Sequence, residues 1–222
     1  MGARRVRPPP DRQGCRRRLS PRLLIMPSTA FPRRQLFALA GAKALLAALL
    51  LTGALFPSVG GFAGKGYAFR LPLFLLPAVV VPILWRCRSV RDRYPLALDV
   101  ALTVPFLLDT LGNAIGGFDR WNHFDKVLHV LNWVVLAWGV TVHLSRPDRD
   151  RILLWVAGSG VGAMAAIGWE IAEYAVMKSG VGGLHLTYPD TLADLACGTT
   201  GAMLGAWWAV RTHRAAALGP SS

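Results

Sequence analysis

The sequence predicts an all-α polytopic membrane protein, a six-helix transmembrane bundle with both termini cytoplasmic. Three observations carry that expectation. The 222 residues are 53% hydrophobic and only 17% charged, yet the formal net charge is +13. Apolar residues and charges are segregated along the chain, as membrane spans and loops require. The basic residues also gather in alternate loops. An intrinsically disordered chain would be far more polar. Three cysteines (Cys15, Cys87 and Cys197) are too few for a disulfide-built miniprotein.

The first span, 36–56, has Lys43 as its only charge and is long enough to cross a hydrocarbon core of about 30 Å. Lys43 lies about 10 Å from the cytoplasmic end and is expected to snorkel back to the headgroups. The second span, 69–85, carries Pro72, Pro77 and Pro82 and reads as a kinked helix whose freed carbonyls find partners in a bundle. The third, 96–115, follows Pro95, bends at Pro105 and holds Asp99, Asp109 and Asn113. The fourth covers 125–144. The fifth, 151–177, is announced by Pro147-Asp148, and the sixth, 189–210, by Thr187-Tyr188-Pro189-Asp190.

Orientation follows from the loops. Segments 1–35, 86–95, 145–151 and 211–222 hold ten, four, three and two Lys/Arg, nineteen of the twenty-five. The opposite side holds Lys65, Arg70, Arg120, Lys126 and Lys178. Cytoplasmic loops carry the excess, which places both termini inside a bacterial cytoplasmic membrane. Residues 1–35 then read as a disordered basic tail rather than a nucleic-acid arm, 36–210 as the membrane domain and 211–222 as a second tail. Arg33-Arg34-Gln35-Leu36-Phe37 resembles a twin-arginine signal only faintly, because no cleavage site follows and five more spans do. Met26 precedes a short basic region of ordinary length, and a chain starting there is expected to insert like the full one. Trp121, Trp207 and Trp208 suit the interfacial belts.

Charged groups inside a span each need a reason, since a central Asp costs about 2.5–3.5 kcal/mol even on lenient scales. Asp99 has one, in the first turn of its helix beside the interface, where the helix dipole favours an anion. Asp109 and Asn113, spaced i, i+4, do not. With the topology above, Asp109, Asn113, Asp119, Arg120, Asn122, His123, Asp125, Lys126, His129, Asn132, Glu170, Glu173, Tyr174, Asp190 and Asp194 all fall in the outer half. Asp125, His129 and Asn132 share one helical face, as do Glu170, Glu173 and Tyr174, and Asp190 and Asp194. Small residues continue these lines. Gly158, Gly162 and Ala166 lead to Glu170. Gly198 and Ala202 follow Asp194, with Gly201 and Gly205 alongside. Such stripes let membrane helices approach closely, so the fifth and sixth spans are expected to pack together.

At least five carboxylates with few basic partners cannot all stay ionised side by side. They must share protons, pair with Arg120 or Lys126, or bind a cation. A divalent metal ion is the candidate cofactor, with Asp125, His129, Glu170, Asp190 and Asp194 as nitrogen and oxygen ligands. No fixed metal-binding motif such as H-E-x-x-H is present. A purely structural network of ion pairs locking the helices is the competing explanation.

Three motifs carry a family resemblance. Phe124-Asp125-Lys126-Val127-Leu128-His129 resembles the D-K-x-x-H element of VanZ-like bacterial membrane proteins. Gly168-Trp169-Glu170-Ile171-Ala172-Glu173-Tyr174 is similar to the G-W-E-x-x-E-aromatic element of the related YjdF-like proteins. Tyr188-Pro189-Asp190-Thr191-Leu192-Ala193-Asp194-Leu195, running into Gly201-Ala202-Met203-Leu204-Gly205, resembles the ending shared by the group. Glu173, where VanZ-like proteins carry Gln, favours the YjdF-like branch. The resemblance implies a small multi-pass inner-membrane protein without an established activity.

Membrane lipid is the expected partner and nucleic acid is not. The leading functional expectation is an outward-facing acidic/His site acting on envelope lipid or a small envelope molecule. As an intramembrane hydrolase or transferase, the chain would use His129, Glu170 and Asp194 as acid–base groups or metal ligands. As a transporter it would relay protons or bind a cation through the same carboxylates, although they cluster at one side rather than the midplane and no inverted repeat is evident. A purely structural membrane protein would use them only to hold helices together.

Overall fold

A computed structural model describes residues 33–88, 94–146, 148–180 and 186–218. Most of the basic tail, with Cys15 and Met26, lies outside the described residues. The chain forms α1 (Arg33–Leu55), a 3-10 turn (Gly60–Phe62), α2 (Tyr67–Arg86), α3 (Leu96–Ala114), a single turn α4 (Gly117–Arg120), α5 (Phe124–Leu144), α6 (Arg151–Lys178) and α7 (Tyr188–Leu218). There is no strand among the described residues. Five helices, α1, α2, α3, α5 and α6, are long and apolar enough to cross a membrane. At 31 residues α7 is longer still but falls outside that group, its length shared among Asp, Thr, Gly and Ala. It also continues to Leu218, past residue 210.

The outer surface matches an apolar solvent. Phe37, Leu76, Ile152, Met164 and Ile171 are each more than half exposed, on three different helices. So much large apolar surface is unusual on a monomer in water and natural against lipid tails. The helix α2 runs unbroken through Pro72, Pro77 and Pro82, and α3 through Pro105. Asp150, rather than the expected Asp148, caps α6, its carboxylate accepting from Ile152 N at 2.8 Å and Leu153 N at 3.0 Å.

In lipid, burying apolar surface between helices gains little hydrophobic free energy, so close packing must hold the bundle. Glycine and alanine supply it. Gly158 of α6 lies against Thr141 and Ala206, and Gly162 against Ala202 and Ala137. Gly198 of α7 lies against Trp133 and Ala166. These contacts make α7 antiparallel to α6, as the small-residue lines predict. Gly201 and Gly205, however, press on the backbone carbonyls of Val130 and Val134 in α5. The α5–α7 pair is parallel and is the most extensive contact of the bundle. A second core, built from Leu46, Leu50, Phe62, Tyr67, Phe74 and Ala78, joins α1 and α2, with Phe106 of α3 and Trp169 of α6 against it.

Near the start of α3, Lys43 has a partner that its spacing did not announce. Its ammonium donates to both oxygens of Asp99, at 2.7 and 2.6 Å. Asp99 is in the first turn of α3 and fully buried, and the Tyr94 hydroxyl also donates to it. Besides the helix dipole, a lysine from α1 and a phenol from the chain before α3 therefore hold this carboxylate.

Candidate functional site

At the end of the bundle where α2, α5 and α7 begin and α3 and α6 finish, the helices part around a cavity of about 340 Å³. Its floor is apolar, made by Pro105, Phe106, Leu128, Trp133, Leu136 and Trp169. Its polar wall carries Asp109, Asp119, Asp125, Glu173, Asp190 and Asp194 against Lys65, Arg70 and His129. An apolar chamber with a few convergent polar groups is the usual form of a small-molecule site.

The first turns of α5 and α7 build the densest part, because their parallel packing puts equivalent residues side by side. Lys126 donates to Asp190 Oδ1 at 2.6 Å, to both oxygens of Asp194 at 2.7 and 2.8 Å, and to Asp125 Oδ2 at 3.0 Å. One ammonium thus joins three carboxylates from two helices. One turn deeper, His129 stands between acids on both ring nitrogens. Its Nδ1 lies 3.4 Å from Asp125 Oδ1 and 3.5 Å from Asp194 Oδ1, and its Nε2 lies 3.3 Å from Glu170 Oε1. The Nε2 approach is not aligned for a hydrogen bond, and both Glu170 oxygens likewise lack an aligned donor. His129, Glu170 and Asp194 are all buried.

The opposite wall is made by α2 and α3. Arg70 Nη1 lies 3.3 Å from Asp109 Oδ2, with its guanidinium over the rings of Tyr67 and Phe74. Asn113 Nδ2 donates back to the Asp109 carbonyl at 3.0 Å. Lys65 donates to Asp119 at 2.8 Å, tying the α1–α2 connection to α4. Gly116, with φ +67°, turns the chain from α3 into α4, a backbone region that favours glycine.

Of the residues singled out by sequence, Asp109, Asn113, Asp125, His129, Asn132, Glu173, Asp190 and Asp194 face the one cavity, and Lys126 and Glu170 join them through Asp194 and His129. Tyr174 does not. It is more than half exposed, with the Lys178 ammonium over its ring. Arg120 forms no ion pair among the described residues. Lys65 and Arg70, counted by sequence only as outer-side charges, are the cations on the second wall. Nothing in their local spacing marks them, since their acids lie 54 and 39 residues away.

Asp125, His129 and Asp194 each offer a ligand atom, and these atoms lie within 4.8 Å of one another. The donor types suit a divalent ion. The Lys126 ammonium, however, already sits on both Asp194 oxygens and on Asp125, so a metal would have to displace a cation that the chain itself provides.

No curated protein and no solved structure matches the chain. A family model described as a predicted membrane protein (DUF2238) matches residues 42–215, which takes in all three motifs and every helix that builds the cavity. The chain therefore belongs to the DUF2238 family of predicted membrane proteins.

Proposed function

We propose that the protein is a six-span integral protein of the bacterial cytoplasmic membrane, with both termini inside, whose outward-facing acidic/His cavity binds and acts on an envelope lipid headgroup or a small envelope molecule. The observation that carries this reading is the cavity itself. It joins an apolar floor to a polar wall built from five long helices, although charged groups within membranes are costly. The Lys/Arg excess in alternate loops supports the orientation. The sixth span is α7, whose small residues face α5 and α6 while Leu192, Leu204 and Trp208 remain exposed. The motif resemblance to YjdF-like proteins points to the same kind of small multi-pass protein. Reporter fusions at residue 222 and in 86–95 are expected to report the cytoplasm, and fusions in 57–68 and 178–188 the outside.

In this reading His129 is the acid–base group, because its two ring nitrogens are the N–H positions that the surrounding carboxylates face. Asp125 and Asp194 orient it from one side and Glu170 faces it from the other. The test is recovery of ligand with the purified protein. Mass spectrometry of wild type should find a molecule enriched over the surrounding membrane. Leu136→Trp, which fills the floor, should lose it while still folding. An identical lipid complement on both would refute a binding cavity.

A metal-dependent hydrolase is the second reading, supported by the mutual reach of Asp125, His129 and Asp194. Metal analysis of wild type and Lys126→Met separates it from the first. Stoichiometric metal in wild type supports the hydrolase, whereas metal only in the variant shows that Lys126 fills that place.

A further inference from the structure

We propose that the ligand of this cavity carries a positive charge, an organic ammonium on an apolar body, and that Glu173 pairs with it. This rests on the cavity being a ligand site and names the chemistry that the site accepts. The polar donors and acceptors divide unevenly. Lys126 is engaged with Asp125, Asp190 and Asp194, Arg70 with Asp109, and Lys65 with Asp119. Each cation near the cavity mouth is therefore already matched to an acid of the chain. Glu173 faces the cavity with no ion pair or hydrogen bond among the described residues.

The unmet capacity elsewhere is also on the accepting side. Asn132 Oδ1 is buried without a donor, in a residue that lines the cavity. Glu170, buried beside His129, has both carboxylate oxygens without an aligned donor. An anionic headgroup would need free donors and would meet surplus carboxylates. An ammonium brings only donors and a charge that offsets Glu173. The floor fits the rest of such a molecule, since Trp133, Trp169, Leu136 and Phe106 line it with aromatic and apolar side chains. Lys126 already contacts the Asp125 and Asp194 oxygens that an inorganic ion would use. What remains is a charge deficit beside an apolar pocket, which suits an amphipathic amine.

The test titrates the purified full chain in nanodiscs with hexylammonium, hexanol and hexyl sulfate, reading the midpoint of thermal unfolding. Hexylammonium should stabilise wild type at concentrations at least tenfold lower than either match. Glu173→Gln should weaken that effect at least tenfold and leave the hexanol response unchanged. If Glu173→Gln does not fold, the ranking of the three probes on wild type decides alone. Hexanol or hexyl sulfate acting as well as hexylammonium, or an unchanged response in Glu173→Gln, overturns the ammonium assignment and leaves the cavity a ligand site. Stabilisation by magnesium but not by hexylammonium overturns it also. No response to any probe overturns the site and the assignment together. Repeating the titration with phosphatidylethanolamine in place of phosphatidylglycerol identifies the source. Competition assigns the amine to a lipid headgroup and its absence to a free amine, and either supports the proposal.

Discussion

The two ends of the bundle both bury carboxylates beside lysines, and they do so to different effect. At one end Asp99 is fully buried, Lys43 meets both its oxygens and Tyr94 adds a further donor. Acid, base and phenol complete one another. At the other end Lys126 holds three acids, His129 touches three, and Glu173 and Asn132 face a cavity of about 340 Å³ with capacity unspent. Burial of charge therefore does not distinguish a site from a structural lock. What distinguishes them is whether the pairing is finished and whether space remains beside it.

The largest expected effect lies at the closed end. Lys43→Met leaves Asp99 buried without its cation and should destabilise the protein by about 3–5 kcal/mol. Adding Asp99→Asn should recover much of that loss. Denaturant unfolding in detergent measures both, and a loss below about 1 kcal/mol would remove the contrast between the ends.

Next comes the frame beneath the cavity. A methyl group at Gly205 meets the Val134 carbonyl, whereas one at Gly160 meets open space. Gly205→Ala should cost about 1–3 kcal/mol, while Gly160→Ala should be neutral or stabilising by up to about 1 kcal/mol. Equal melting temperatures would mean that α5 and α7 are not locked together there.

Lys126→Met sharpens the comparison from the open end. Lys126 is about a quarter exposed, and Asp125 and Asp190 more than a third. Asp194 is as buried as Asp99, but His129 stays beside it and solvent screens the other two acids, so the expected cost is about 1–2 kcal/mol despite the larger number of ion pairs. Millimolar magnesium or manganese should restore the variant through Asp125, His129 and Asp194. A loss equal to that of Lys43→Met would make the open cluster a lock as well.

The smallest effect is that of Tyr94→Phe, about 1 kcal/mol. Burial, and then Asp99, push the Tyr94 phenol up. Its contribution is complete below the ordinary tyrosine value of about 10 and is lost only as pH rises through the higher folded value. The deficit of the variant should therefore stay constant between about pH 6 and pH 9. A deficit that fades within that range would show the phenol titrating early.

Helices and polar faces were legible in the sequence because each depends on local spacing. Apolar runs gave the long helices, and i, i+4 steps put Asp125 with His129 and Asp190 with Asp194. The pairings were not legible. Lys43 with Asp99, Arg70 with Asp109 and Lys65 with Asp119 are set by how helices are arranged, and a loop count does not contain that arrangement. Gly201 and Gly205 show the same limit. A stripe of small residues announces a close neighbour without saying which one, and α7 has two such neighbours. Tyr174 follows Glu170 by one turn, but exposure there depends on how far the surrounding helices reach.

Cysteine accessibility in intact cells tests directly whether the open polar site faces outward and the opposite end is sealed. In a Cys15→Ser, Cys87→Ser, Cys197→Ser background, Asn132→Cys and Thr103→Cys each receive a membrane-impermeant trimethylammonium thiol reagent. Asn132 lines the cavity and Thr103 is fully buried. The account predicts that Asn132→Cys is modified from outside without permeabilisation and that Thr103→Cys is not modified even after it. Modification of Asn132→Cys only after permeabilisation, or equal modification of the two, would contradict it.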